Sequence, residues 1–156
     1  ALAAIAIGCH FEVPAEAICE ALNGYIPSNN RSQLTETKDN HLIVDAYNAN
    51  PTSMMAALEN FRLMEVAHKV AILGDMKELG EGSVDEHRKI VSFLEGCGFE
   101  RIILVGDEFG KANSVFEWYK NTDDLKAKIS EEKISGKFVL IKGSNSMKLA
   151  PLKDIL

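Results

Sequence analysis

Three short stretches gather the side chains that could bind or react, and each follows an apolar run. Residues 42–53 read Leu-Ile-Val-Asp-Ala-Tyr-Asn-Ala-Asn-Pro-Thr-Ser, a run ending in Asp45 and then a polar loop before a helical pattern. One carboxylate, two amides and one phenol (Asp45, Asn48, Asn50, Tyr47) can hydrogen-bond a sugar or a heterocycle but make a poor acid–base pair. The stretch therefore reads as a binding constellation more than a catalytic one. The same residue types also form turns, and Thr52 or Ser53 could simply cap the helix that follows.

The second stretch is Gly74-Asp75-Met76-Lys77-Glu78-Leu79-Gly80, placed directly after another buried-strand run. Gly74, Gly80 and Gly82 allow a tight loop, which reads either as part of a site or as a solvated acidic turn. His87 lies inside the next helix, where a capping or packing imidazole is the simpler reading, although it could orient the Glu78 loop. The third stretch, Lys142-Gly143-Ser144, sets an ammonium and a hydroxyl after the last apolar run. A lysine there can meet a carboxylate or phosphate, though Lys-Gly-Ser is also common in turns. Arg31, ahead of the first strand, reads from residue type alone as a solvated linker charge.

The elements that must position these groups alternate along the chain. Residues 32–37 read as an edge strand, turning at 38–40 into a strand at 42–45, so the two could form a hairpin. A helix over 52–66 carries Met55, Leu58, Phe61, Leu63 and Val66 as its apolar stripe. Strand 69–74, helix 84–95 and strand 101–106 follow, then an aromatic-rich segment with a possible short strand at 115–118. Helix 122–130, strand 137–141 and a final helix near 147–155 complete the pattern. Strands separated by helices predict an α/β fold: a Rossmann-like, mostly parallel sheet with helices on both faces. In such sheets ligands sit beyond the carboxyl ends of the strands, so Asp45, Asp75 and Lys142 are expected along one rim.

Residues 1–24 read as two short helices, the second opening at Pro14 with Ala17, Ile18, Ala21 and Leu22 at helical spacing. An apolar helix without a polar lead suggests a cut chain. Gly24, Pro27, Ser28, Asn29 and Asn30 supply the turn and linker chemistry of a boundary between units.

Bulk properties narrow the class. The 156 residues are 46% hydrophobic and 26% charged, an ordinary globular balance. A net charge of -6 argues against nucleic-acid binding through a basic surface. Cys9, Cys19 and Cys97 suggest neither a disulfide framework nor a zinc site, and a reducing cytoplasm fits. No stretch is long enough to insert across a membrane. The chain contains neither a Gly-x-x-x-x-Gly-Lys-Ser/Thr phosphate loop nor a Gly-x-Gly-x-x-Gly after its first strand, so it encodes no complete P-loop ATPase or dinucleotide dehydrogenase.

The order Asp-Ala-Tyr-Asn-Ala-Asn-Pro at 45–51 closely resembles the motif of the bacterial Mur ligases that add D-alanyl-D-alanine to UDP-N-acetylmuramoyl-tripeptide, the peptidoglycan precursor. The Gly74–Gly80 stretch with His87, and Lys142-Gly143-Ser144, agree with the family in order. The resemblance covers essentially the whole chain and implies a C-terminal domain, with residues 1–28 a helical remnant of the central ATPase domain. It implies ATP as cofactor, with Mg²⁺ and the phosphate loop supplied mainly by a central domain upstream. In the family the tripeptide carboxylate is phosphorylated by ATP, and the dipeptide amine attacks the acyl phosphate. Arg31 matches the arginine that reaches the ATP phosphates when the domains close, and Asp45 the carboxylate that holds the ribose. Tyr47, Asn48 and Asn50 then lie around the nucleotide. Asp75, Met76 and Glu78 are expected to shape the dipeptide pocket or meet an ammonium, and Lys142 and Ser144 to bind substrate or nucleotide. This chain departs from its relatives at Asn145, usually basic, and at Ala150, often acidic. The alternatives are a sister Mur ligase that adds a single amino acid, a non-catalytic nucleotide- or peptide-binding module, and a pure protein-interaction domain.

Overall fold

Alternating apolar runs and helical patterns assemble, in a computed structural model that describes residues 1–25, 33–113 and 115–156, into one six-stranded sheet with helices on both faces. The chain runs α1 (Leu2–His10), α2 (Ala15–Asn23), β1 (Gln33–Glu36), β2 (His41–Asp45), α3 (Pro51–Leu63), β3 (Lys69–Gly74) and α4 (Ser83–Glu95). It continues through β4 (Arg101–Val105), α5 (Asp107–Ala112), β5 (Glu117–Tyr119), α6 (Thr122–Glu131) and β6 (Phe138–Lys142). The strand order is β1-β2-β6-β3-β4-β5. Only β1 is antiparallel, folded back on β2 as the expected hairpin; the other neighbours pair in parallel.

Successive side chains of a strand point to opposite faces, so strands covered on both sides must be apolar throughout. The interior strands obey this. Val70, Ile72, Ile103, Val105, Val139 and Ile141 pack with Leu125 and Ile129 of α6 on one face. Ala71, Leu73, Ile102, Leu104 and Leu140 pack on the other with α3 and α4.

Four local details differ from the sequence pattern. Helix α3 buries Met54, Leu58 and Phe61, while Leu63 is 66% exposed and Val66 lies beyond the helix end. The phase is set at the start: Asn50 accepts from Ser53 N–H at 2.8 Å, Ser53 Oγ accepts from Asn50 N–H at 3.1 Å, and Pro51 occupies the first turn. That capping box places positions 54, 58 and 61 inward. Helix α5 was not evident in the aromatic-rich segment, and the short strand after it runs Glu117–Tyr119 rather than 115–118. Asn113 accounts for the shift, because its side chain accepts from Val115 and Phe116 N–H and donates to Phe116 C=O, holding a turn there. The expected final helix is two short 3₁₀ turns, Asn145–Met147 and Ala150–Asp154. Lys148 between them has φ 53° and Pro151 lacks an N–H, so an α-helix cannot run through.

Helices α1 and α2 form as expected, and neither has a buried residue. Leu2, Ile7 and Phe11 are largely exposed.

Candidate functional site at the carboxyl rim

Register decides whether the three motif stretches meet. Asp45 stands opposite Lys142, Lys142 opposite Leu73, and Gly74 opposite Val105. Parallel strands in that register bring the loops after β2, β6, β3 and β4 to one edge of the sheet. The spatial expectation for Asp45, Asp75 and Lys142 therefore holds.

At this rim Lys142, 1% exposed, donates to Asp45 Oδ2 at 2.5 Å and to Asn48 C=O at 3.4 Å. A buried ammonium needs such partners, since desolvation otherwise outweighs what its charge gains. The pair is thus self-neutralised, with Asp45 at 17% exposure the more open member. Among the described residues the hydrogen bond to the Asp45 carboxylate falls on Oδ2.

Tyr47 is 51% exposed beside it. Asn48 Oδ1 accepts from Ala49 N–H at 2.8 Å, and Asn50 is the cap of α3. Both amides accordingly shape their own loop, whatever else they touch.

The loop after β3 is more enclosed than its residue types suggested. Asp75 and Met76 are both 0% exposed. Asp75 accepts from Glu108 N–H at 3.1 Å, Phe109 N–H at 3.0 Å and the Lys77 ammonium at 3.0 Å. Met76 packs in the α3–α4 core, and its N–H donates to His87 Nε2 at 3.0 Å. His87, fully buried, has its Nδ1 2.7 Å from Ser83 C=O and lies edge-on to Phe109. A neutral imidazole with Nδ1–H satisfies both contacts, so His87 holds the Met76 end of the loop. Glu78, by contrast, is exposed with φ 65°.

Ser144 is 5% exposed; its Oγ accepts from Lys77 N–H at 3.0 Å and its N–H donates to Asp75 C=O at 3.2 Å. Arg31 and the linker residues Pro27, Ser28, Asn29 and Asn30 lie outside the described residues.

Lys77 and Gly106 escaped the reading of residue types. Lys77 touches both Asp75 and Ser144, and a Cβ on Gly106 would stand 2.3 Å from Asp75 Cγ. A sequence signal for Gly106 does exist: β3 ends in Gly74, and Gly106 and Gly143 directly follow β4 and β6. Gly143 likewise meets Gly74, where an added Cβ would lie 3.0 Å from its Cα.

For ATP, the donor set is mixed. Asp45, Tyr47 and the Asn48 loop suit a ribose or base, but Lys142 and Lys77 are each committed to a carboxylate. Cations for a triphosphate must come from elsewhere. Among the described residues no group of three or more His, Cys, Asp or Glu is placed to hold a metal ion, and no helix is long and apolar enough to cross a membrane.

Comparison with known proteins identifies the family and the fold. The UDP-N-acetylmuramoyl-tripeptide--D-alanyl-D-alanine ligase of Treponema pallidum (strain Nichols) is 31% identical over 165 residues, covering 100% of this chain and 36% of its own length. The Bacillus subtilis (strain 168) protein of the same name is 32% identical over 169 residues, covering 100% and 37%. The chain thus spans about a third of the length of these relatives. A crystal structure of MurF from Acinetobacter baumannii superposes with a TM-score of 0.80 at 25% identity, over 96% of this chain and 35% of that one. The MurF ligase of Thermotoga maritima in complex with ADP, 19% identical, shares the fold with a TM-score of 0.70 over 89% of this chain and 35% of its own. The profile of the Mur ligase, glutamate ligase domain family matches residues 30–145, which take in all three motif loops, and the chain belongs to that family.

Proposed function

We propose that this chain is the C-terminal domain of an ATP-dependent ligase joining D-alanyl-D-alanine to UDP-N-acetylmuramoyl-tripeptide through an acyl phosphate. The observation that carries the reading is the meeting of three motif loops on one rim, in a chain whose whole length aligns with about a third of a ligase of that name. Asp45 holds the ribose, with Tyr47 and the Asn48–Asn50 loop around the nucleotide. Exposed Glu78 meets or borders the dipeptide, while Asp75, Met76 and Ser144 support that pocket from beneath. Lys142 acts through Asp45 unless a ligand displaces the pair. Arg31 reaches the phosphates from the joint with a central domain that carries the phosphate loop and most of the Mg²⁺ ligands. Residues 1–28 then belong with that central domain and 29–156 form the C-terminal domain. The reaction takes place in the cytoplasm. Domain closure brings the two halves together and excludes water from the acyl phosphate.

Calorimetric titration of the chain with ATP and with D-alanyl-D-alanine tests this. At least one ligand is expected to bind, with binding lost in Asp45→Ala or Lys142→Ala; binding of neither refutes the assignment. The chain alone is expected to have no ligase activity, and turnover of tripeptide and dipeptide with Mg-ATP would contradict that.

A further inference from the structure

Asp75 is a buried carboxylate with no ligand-facing surface, yet it stands where three loops converge. Its oxygens accept from the N–H groups of Glu108 and Phe109, the opening turn of α5. Its own N–H donates to Val105 C=O at 3.0 Å, and its C=O accepts from Ser144 N–H at 3.2 Å. One residue is therefore bonded to the loops after β4 and β6 as well as to its own. The first N–H groups of a helix lack intrahelical partners, and a carboxylate satisfies them with charge-assisted bonds. Helix α5 has only six residues and could not hold its start unaided. Gly106, at φ 119°, leaves room for the carboxylate that any larger residue would fill.

We infer that Asp75 is a positioning residue: it pins the loops after β3, β4 and β6 into one body and thereby sets where that part of the rim faces the dipeptide. The sequence expectation is that Asp75 shapes the dipeptide pocket or meets an ammonium; the pin says how it would shape it, and only its ligand half rests on the function proposed above. The bond to Lys77 is a by-product of the pin and not its purpose.

Amide hydrogen exchange and steady-state kinetics on the full-length protein separate these ideas. In the wild type, the Glu108, Phe109 and Ser144 amides are expected to exchange as slowly as the β3–β4 ladder. Asp75→Asn puts an amide donor against these N–H groups and should speed exchange at Glu108 and Phe109 by about tenfold or more, the loss of one charge-assisted bond. The same variant should raise KM for the dipeptide by about tenfold while KM for ATP stays within about twofold, a split that general destabilisation does not produce. Lys77→Met should leave exchange at Glu108 and Phe109 at the wild-type rate. Fast wild-type exchange at those amides overturns the pin, as does Lys77→Met reproducing the Asp75→Asn exchange. If Asp75→Asn fails to fold, wild-type exchange and Lys77→Met still decide. Equal changes in both KM values overturn the positioning role. A wild-type protein without dipeptide ligation defeats the proposed function alone, and the exchange data then judge the pin by themselves.

Discussion

The two rims of the sheet handle charge in opposite ways. At the carboxyl rim Asp75, His87, Lys142 and Ser144 are buried and bonded across loops. At the amino rim the exposed Glu100 pairs with exposed His68 and half-buried Lys137, and bonding there holds its carboxyl below the usual range, with Lys137 first and His68 second. Clefts of about 340 and 290 Å³ open at that same rim, the first lined by Glu132, Lys133 and Lys137 and the second by Lys38, Asp39 and His68. Interior polar groups are costly unless fully partnered, and the rim that bears the family motifs is where this chain maintains most of them.

Substitutions can break or sharpen that contrast. The largest effect is expected for Asp75→Ala, which leaves two backbone N–H groups without their acceptor and should lower unfolding free energy by about 3 kcal/mol, read from urea denaturation. Lys142→Met leaves Asp45 without its cation and should cost about 2 kcal/mol, discounted because Asp45 is partly exposed. Adding Asp45→Leu should restore most of that loss, so a double variant as unstable as the single one argues against a simple ion pair. Asn50→Ala removes the cap of α3 and should cost about 1 kcal/mol.

Smaller is the acid sensitivity of Glu117, whose carboxyl is held below its ordinary value of 4.5 first by the Arg101 guanidinium, bonded at 2.8 and 2.9 Å. A depressed folded pKa means the stabilisation is complete above the ordinary value and is lost as pH falls through the lower folded one. Glu117→Gln should therefore flatten the pH dependence of stability below about pH 4.5 and change it little at pH 7. At that same amino rim, where Glu100 is more exposed than Glu117, Glu100→Gln is expected to leave the unfolding midpoint unchanged within error. A large shift there would erase the distinction between the rims.

Much of the sheet was legible because buried parallel strands are written as unbroken apolar runs: 69–74 matches β3 as read, and the hairpin before β2 follows from one turn. The end of the chain was not, since Lys148 in the left-handed region and Pro151 override helical spacing. Motif order located the rim, but residue type misjudged exposure. A carboxylate in a glycine-bounded loop looks solvent-facing, and nothing near Asp75 in sequence announces that its partners are the amides of residues 108 and 109. Long-range pairing of that kind depends on strand order, which hydrophobic periodicity does not encode. A lysine at position 142 can meet a carboxylate or phosphate, and residue type alone does not say that the carboxylate is that of its register partner Asp45.

Strand β6 lies between β2 and β3 although it is the last strand in the chain. During synthesis, β2 with its hairpin and the β3–β4–β5 half must wait, edges unpaired, until residues 138–142 leave the ribosome. Lys142 arrives with that closing strand, so Asp45 acquires its counter-charge only once β6 has been made. A nascent chain stalled before residue 138 should be a chaperone client, its strand edges still open.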